Sequence, residues 1–128
     1  MRVPVREIPV KVQADGATAR QQTGFGDASD YGTIGAEHFA LAEGTDITPL
    51  LQGLDGDLCH APHWGYMIDG ELTVTYGDGS SENVSAGDAF HWPPGHTVRA
   101  DRDVEFVLFS PQHEHTAVLD HINDKLQG

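Results

Sequence analysis

A cysteine, two histidines and an aspartate stand within seven positions, Asp57 to His63, in the stretch DLCHAPHWGYMIDGEL (57–72). A second stretch, GDAFHWPPGHTVRADRD (87–103), carries His91 and His96 on either side of Pro93-Pro94-Gly95. Thiolate and imidazole are ligands for transition metals. Histidine also moves protons near neutral pH. Each residue has a plainer reading as well: a lone cysteine is commonly a small apolar core residue, and a buried histidine is commonly just hydrogen-bonded.

In an extended chain alternate residues share a face. Asp57, Cys59, Ala61, His63, Gly65 and Met67 then look one way, and His60, Pro62, Trp64, Tyr66 and Ile68 the other. Four residues of strand span about 13 Å, too far for two ligands of one ion. The chain must therefore turn between Cys59 and His63. His60-Ala61-Pro62 supplies that turn, because proline fixes its own φ and restricts the residue before it. Pro62, Gly65 and Gly70 argue against a helix. In the second stretch a strand runs into a Pro-Pro-Gly turn with His96 directly after it, and strand ends hold side chains firmly enough for a site. His91 and Tyr66 are the acid–base candidates. His60 is expected at the surface, and Trp64, Tyr66 and Trp92 read most simply as core or interface aromatics. His113-Glu114-His115 has the look of a metal pair, but it opens the C-terminal helix and is expected as a solvated terminus.

The elements that would position these residues are mostly strands. ELTVTY alternates cleanly, with Leu72, Val74 and Tyr76 on one face, and GDGS (77–80) turns the chain back. AFHW is a short strand stopped by Pro93. VEFVLFS (104–110) is apolar on both faces, as a fully buried strand would be. EHTAVLDHINDKL forms an amphipathic helix with Val118, Leu119, Ile122 and Leu126 inward. The first thirty residues are weakly periodic, and ADGATARQQTGFGDASDYG reads as a long surface segment. Short strands with turns every ten or so residues make an all-β sandwich or barrel.

The chain has 128 residues, enough for one domain with a core, and a net charge of −13. That charge disfavours binding to nucleic acid or to an anionic membrane. No apolar run reaches the roughly 18 residues that span a bilayer. MRVPVREIPV lacks the apolar segment of a signal peptide. The single cysteine fits a reducing compartment, so the cytoplasm is the expected location.

GDAFHWPPGH and YMIDGELTV resemble the two motifs of the cupin superfamily, over about residues 45–110, and the arrangement is similar to a group of small bacterial cupins. The resemblance implies a double-stranded β-helix, the cupin jelly-roll barrel. It would have an N-terminal extension at 1–33, the barrel at 34–112, and a short C-terminal helix and tail at 113–128. Two departures stand out. Counting back from Gly70 puts His63 where the family usually carries glutamate, Cys59 at the second histidine and Asp57 at the first. The last ligand position falls on Val98, with His96 two residues earlier. The family's ligand set therefore carries over as Cys59, His63 and His96.

A thiolate with two imidazoles suits Zn²⁺ or iron, with manganese, nickel or copper as further options, over Mg²⁺ or Ca²⁺. The expected function is a metal-binding cupin whose pocket takes a small organic molecule, as a dioxygenase, isomerase or lyase. The alternative is a non-catalytic module that binds or senses a small ligand or metal; a barrel with only core histidines is the third reading. The family often pairs its barrels, and a homodimer is expected.

Overall fold

The computed structural model describes residues 1–28 and 32–128. Among the described residues ten strands form two antiparallel sheets, as the all-β reading required. In chain order they are β1 (Val10–Ala14), β2 (Ala17–Gln22), β3 (Asp27–Ala28), β4 (Gly32–Leu41), β5 (His63–Asp69), β6 (Glu71–Tyr76), β7 (Ser81–Ser85), β8 (Ala89–Trp92), β9 (His96–Ala100) and β10 (Val104–Pro111). One helix, α1 (Gln112–Gln127), follows. The larger sheet runs β1-β2-β4-β10-β5-β8, with β3 paired to β4; the smaller runs β7-β6-β9.

The core lies between the sheets. Leu72 and Val74 of β6, Val84 of β7 and Val98 of β9 face Met67 of β5, Trp92 of β8, and Phe106 and Leu108 of β10. Period-two alternation delivers this face, with Leu72 and Val74 inward and Glu71, Thr73 and Thr75 only half-buried. Gly70 joins β5 to β6 at φ +83°, and a Cβ there would lie 2.0 Å from the Asp103 carbonyl oxygen, so only glycine fits.

Two elements differ from the sequence reading. β10 buries Val104, Phe106, Leu108 and Ser110, but Phe109 on its other side is 41% exposed. The strand is central within its sheet, yet its outer face carries no second layer among the described residues. The expected surface segment at 14–32 instead supplies β2, which pairs with β1 on one side and β4 on the other; residues 29–31 of it lie outside the described residues. Ala19 and Gln21 of β2 are buried. Their weak apolar signal hid a strand whose small residues lie under the helix.

Helix α1 closes the end of the barrel. Val118, Leu119 and Ile122 pack with Val12, Ala19, Leu51 and Cys59, and full burial of such side chains is worth about 1.5–3 kcal/mol each. Three polar ties fix it, two to Lys11 of β1 and one to Gln52. Lys11 Nζ meets Asp120 Oδ1 at 2.6 Å, Asn123 Nδ2 donates to the Lys11 carbonyl at 3.0 Å, and His121 Nε2 donates to the Gln52 carbonyl at 2.7 Å. No described helix is long and apolar enough to cross a membrane.

Candidate metal centre

Cys59 and His96 are backbone partners. They form an isolated antiparallel bridge, with Cys59 N donating to His96 O at 2.9 Å and His96 N to Cys59 O at 3.1 Å. Four residues further along one segment and four back along the other, His63 pairs with Trp92 in the β5–β8 ladder. The two histidine-bearing stretches thus run side by side. Between the paired ends lie the 60–62 turn on one segment and Pro93-Pro94-Gly95 on the other. Gly95 takes φ +92°, a conformation that proline and the β-branched residues resist. The turn expected at His60-Ala61-Pro62 is present, and it shortens the Cys59–His63 separation enough to put Cys59 Sγ 3.6 Å from His63 Nε2.

The metal-binding atoms of Cys59, His63 and His96 all lie within 4.8 Å of one another, and the three residues are 2–3% exposed. The hydrogen bonds fix which ring nitrogens are free. His96 Nδ1 donates to the Pro93 carbonyl at 2.8 Å. A carbonyl only accepts, so His96 in its neutral form keeps the lone pair on Nε2. His63 Nδ1 lies 2.6 Å from Ser110 Oγ, and Ser110 gives its own proton to Glu37 Oε1 at 2.6 Å. Ser110 must therefore accept from His63, which frees Nε2 of His63 toward Cys59. Outer partners of this kind orient a ligating imidazole and raise its basicity.

Glu37 organises the far side of the cluster. Its second oxygen accepts from His115 Nδ1 at 2.5 Å and from Gln21 Nε2 at 3.4 Å. The same Gln21 amide donates to Thr116 Oγ1 at 3.0 Å, which ties α1 to the network. Glu37, His63 and His115 make a second set of converging groups.

The electrostatics favour a deprotonated sulfur. Burial raises the Cys59 thiol, but hydrogen bonds and positive charge from His115 and His96 more than offset it and lower the pKa from 9.0 to about 6. Burial lowers His115, while Glu37 and Cys59 outweigh it and raise the imidazole to about 9. His63 is held well below 6.5, first by burial and then by the neighbouring histidines, so it stays neutral, the form that binds metal.

The donor set fits a transition metal. Bond lengths of about 2.3 Å to sulfur and 2.0–2.1 Å to nitrogen, at a tetrahedral angle, separate the two donor atoms by about 3.6 Å. Cys59 Sγ and His63 Nε2 are 3.6 Å apart. The adjoining cavity is lined by apolar side chains such as Phe39, Leu51, Phe106 and Leu108 together with Cys59, His63, His96 and Trp92, and it has a volume of about 30 Å³. A water needs about 10–15 Å³ on this measure, so the space takes a ligand of one to a few atoms.

The other sequence candidates lie elsewhere. Tyr66 is 49% exposed on the outer face of β5. His91 stacks on Trp64 at 4.8 Å on that same face and bonds the His63 carbonyl through Nδ1 at 3.0 Å. Neither side chain joins the buried cluster. Asp57 is exposed and accepts from Gly53 N at 2.9 Å. His60 is at the surface, bonded to the Asp55 carbonyl at 2.7 Å. His115, expected in a solvated terminus, is 3% exposed beside Cys59 and Glu37. Its signal was present: His115 lies three and four residues before Val118 and Leu119, on the same helical stripe. Glu37 and Ser110 carried no such signal beyond sharing the inward parity of Phe39 and Leu108.

Residues 59–111 match the family model described as a cupin domain. No curated protein matches the chain. Among solved structures, Bacillus subtilis oxalate decarboxylase, studied for its Mn(II) centres, is 22% identical with a TM-score of 0.59 over 84% of this chain and 28% of its own. Oxalate decarboxylase from Lactobacillus farciminis in a formate complex is 20% identical, with a TM-score of 0.59 over 84% of this chain and 31% of its own. An RmlC-like cupin from Shewanella frigidimarina is 18% identical, with a TM-score of 0.58 over 87% and 90%. The chain thus spans less than a third of the decarboxylases it resembles, and these likenesses speak for the fold. Residues 59–111 thus match a cupin domain, and the two-sheet architecture around them is the cupin fold.

Proposed function

We propose that this protein holds one divalent transition metal through Cys59 Sγ, His63 Nε2 and His96 Nε2. The observation that carries the reading is the hydrogen-bond arrangement. Both imidazoles spend Nδ1 on a fixed acceptor and leave Nε2 for a common point beside a low-pKa thiol. Zn²⁺ or iron suits the thiolate-containing set best. When bound, the ion supplies a Lewis acid with one coordination position left for water or a small ligand.

The chain's own residues set what can happen there. Ser110 and Glu37 hold His63 in one tautomer, and Pro93 O does the same for His96. Leu51, Val118 and Ile122 exclude bulk water from the cavity. The small volume favours a module that binds a metal or a very small ligand. Turnover of an organic substrate, as a dioxygenase, isomerase or lyase would require, needs α1 to leave its seat. His91 and Tyr66 remain proposed acid–base groups only for chemistry on the outer face of the sheet. We further propose a cytoplasmic homodimer. The adjoining exposed side chains Trp64, Tyr66 and Phe109 support the pairing.

Reconstitution with Co²⁺ tests the reading. Thiolate-to-cobalt charge transfer is expected in the near ultraviolet and should vanish in Cys59→Ser while some cobalt remains bound. Stoichiometric cobalt without that band would remove Cys59 from the ligand set.

A further inference from the structure

Trp92 is 2% exposed, and its indole Nε1–H is buried with no hydrogen-bond partner among the described residues. An unmade bond of this kind costs about 1–3 kcal/mol, so most buried donors find an acceptor. The ring is firmly placed. It stacks on Phe90 at 4.1 Å, and it lies 6.1 Å from the His63 ring and 5.7 Å from the His96 ring, centroid to centroid. It also lines the cavity beside Cys59. The indole ring that carries the orphan donor, a space of about 30 Å³ and three converging metal ligands therefore adjoin one another.

We propose that Trp92 is the binding group for a small inorganic ligand on the metal: the open coordination position takes a hydrogen-bond acceptor of one to three atoms, which receives the indole N–H of Trp92. The inference rests on the metal reading above and adds the ligand class to it. The cavity volume excludes an organic acid larger than formate without movement of α1. The apolar lining strengthens the indole donor, because a low-dielectric site makes each hydrogen bond in it stronger. A neutral acceptor without a lone pair toward Trp92 gains nothing there, so anions and hydroxide are preferred over inert molecules of equal size.

Azide is the probe, added to the cobalt-loaded full-length protein and followed by the change in visible absorption. Trp92→Phe keeps an aromatic ring against Phe90 and removes only the N–H. The expected result is full cobalt uptake by both proteins, with the azide Kd raised about 10-fold or more in Trp92→Phe, as for loss of a hydrogen bond to a charged group. A Kd within twofold of wild type, or cobalt uptake with no azide binding at all, overturns the proposal and leaves the metal reading standing. Failure of the wild-type protein to take up cobalt overturns both. If Trp92→Phe does not fold, the wild-type protein loaded with Zn²⁺ and labelled with ¹⁵N decides. The Trp92 indole resonance should move on azide addition while the exposed Trp64 indole stays put, and an unmoved Trp92 resonance counts against the proposal.

Discussion

Glu37 and His115 are 78 residues apart and form a buried ion pair at 2.5 Å, one from the middle of β4 and the other from the first turn of α1. The pair joins the helix that closes the barrel to the network that orients His63. Its removal has a defined cost. Glu37→Ala strands His115 and Ser110 without an acceptor, and breaking a buried pair costs about 3–5 kcal/mol. Urea unfolding of metal-free protein should show that loss, with Glu37→Gln distinctly milder because the amide oxygen still accepts. A loss under about 1 kcal/mol in Glu37→Ala would mean that water replaces the carboxylate.

The same network sets a pH dependence. His115 is raised from 6.5 to about 9, so its contribution to metal-free stability is complete below about pH 6.5 and is lost as pH rises through 9. Cys59 is depressed from 9.0 to about 6, so its contribution is present above about pH 9 and is lost as pH falls through 6. The two slopes oppose each other in the wild-type protein and leave its stability nearly level between them. In Cys59→Ser only the part of the His115 slope that Glu37 supplies remains, and stability should fall as pH rises above 6.5. Denaturant midpoints across a pH series check this, and a level profile in the variant would contradict the hold of Glu37 on the His115 proton.

Assembly is open to the same kind of test. Trp64 and Phe109 are cross-strand partners on β5 and β10, and Tyr66 follows on the same face; all three are 41–50% exposed. Light scattering at tens of micromolar should give a dimer, and Trp64→Glu should shift it toward monomer without changing metal content. A wild-type monomer removes the dimer reading.

The parts of the fold legible in the sequence were those whose signal is local. Leu72 and Val74 announced an inward face by alternation, and Pro62 and Gly95 announced the two turns beside the site. Cys59, His63 and His96 are brought together by those turns and by a backbone bridge, whereas the family spacing pointed to Val98 rather than to His96. Glu37, Ser110 and His115 were not legible as a group. Their contacts span 73 and 78 residues, and each alone has an ordinary surface explanation. β2 was hidden for a related reason: Ala19 and Gln21 are inward only because α1 lies over them. His91 and Tyr66 are reactive types in the same two stretches, but strand parity carries both to the outer face.

Metal content decides the proposed function most directly. Elemental analysis of untagged protein, reconstituted with Zn²⁺ or anaerobically with Fe²⁺, should find about one ion per chain. His63→Ala and His96→Ala should each weaken binding by at least about 10-fold. Dialysis should release the ion as pH falls through about 6, where protons compete for the Cys59 sulfur. Less than about a tenth of an ion per chain after reconstitution, or unchanged metal content in both histidine variants, would contradict the centre described above.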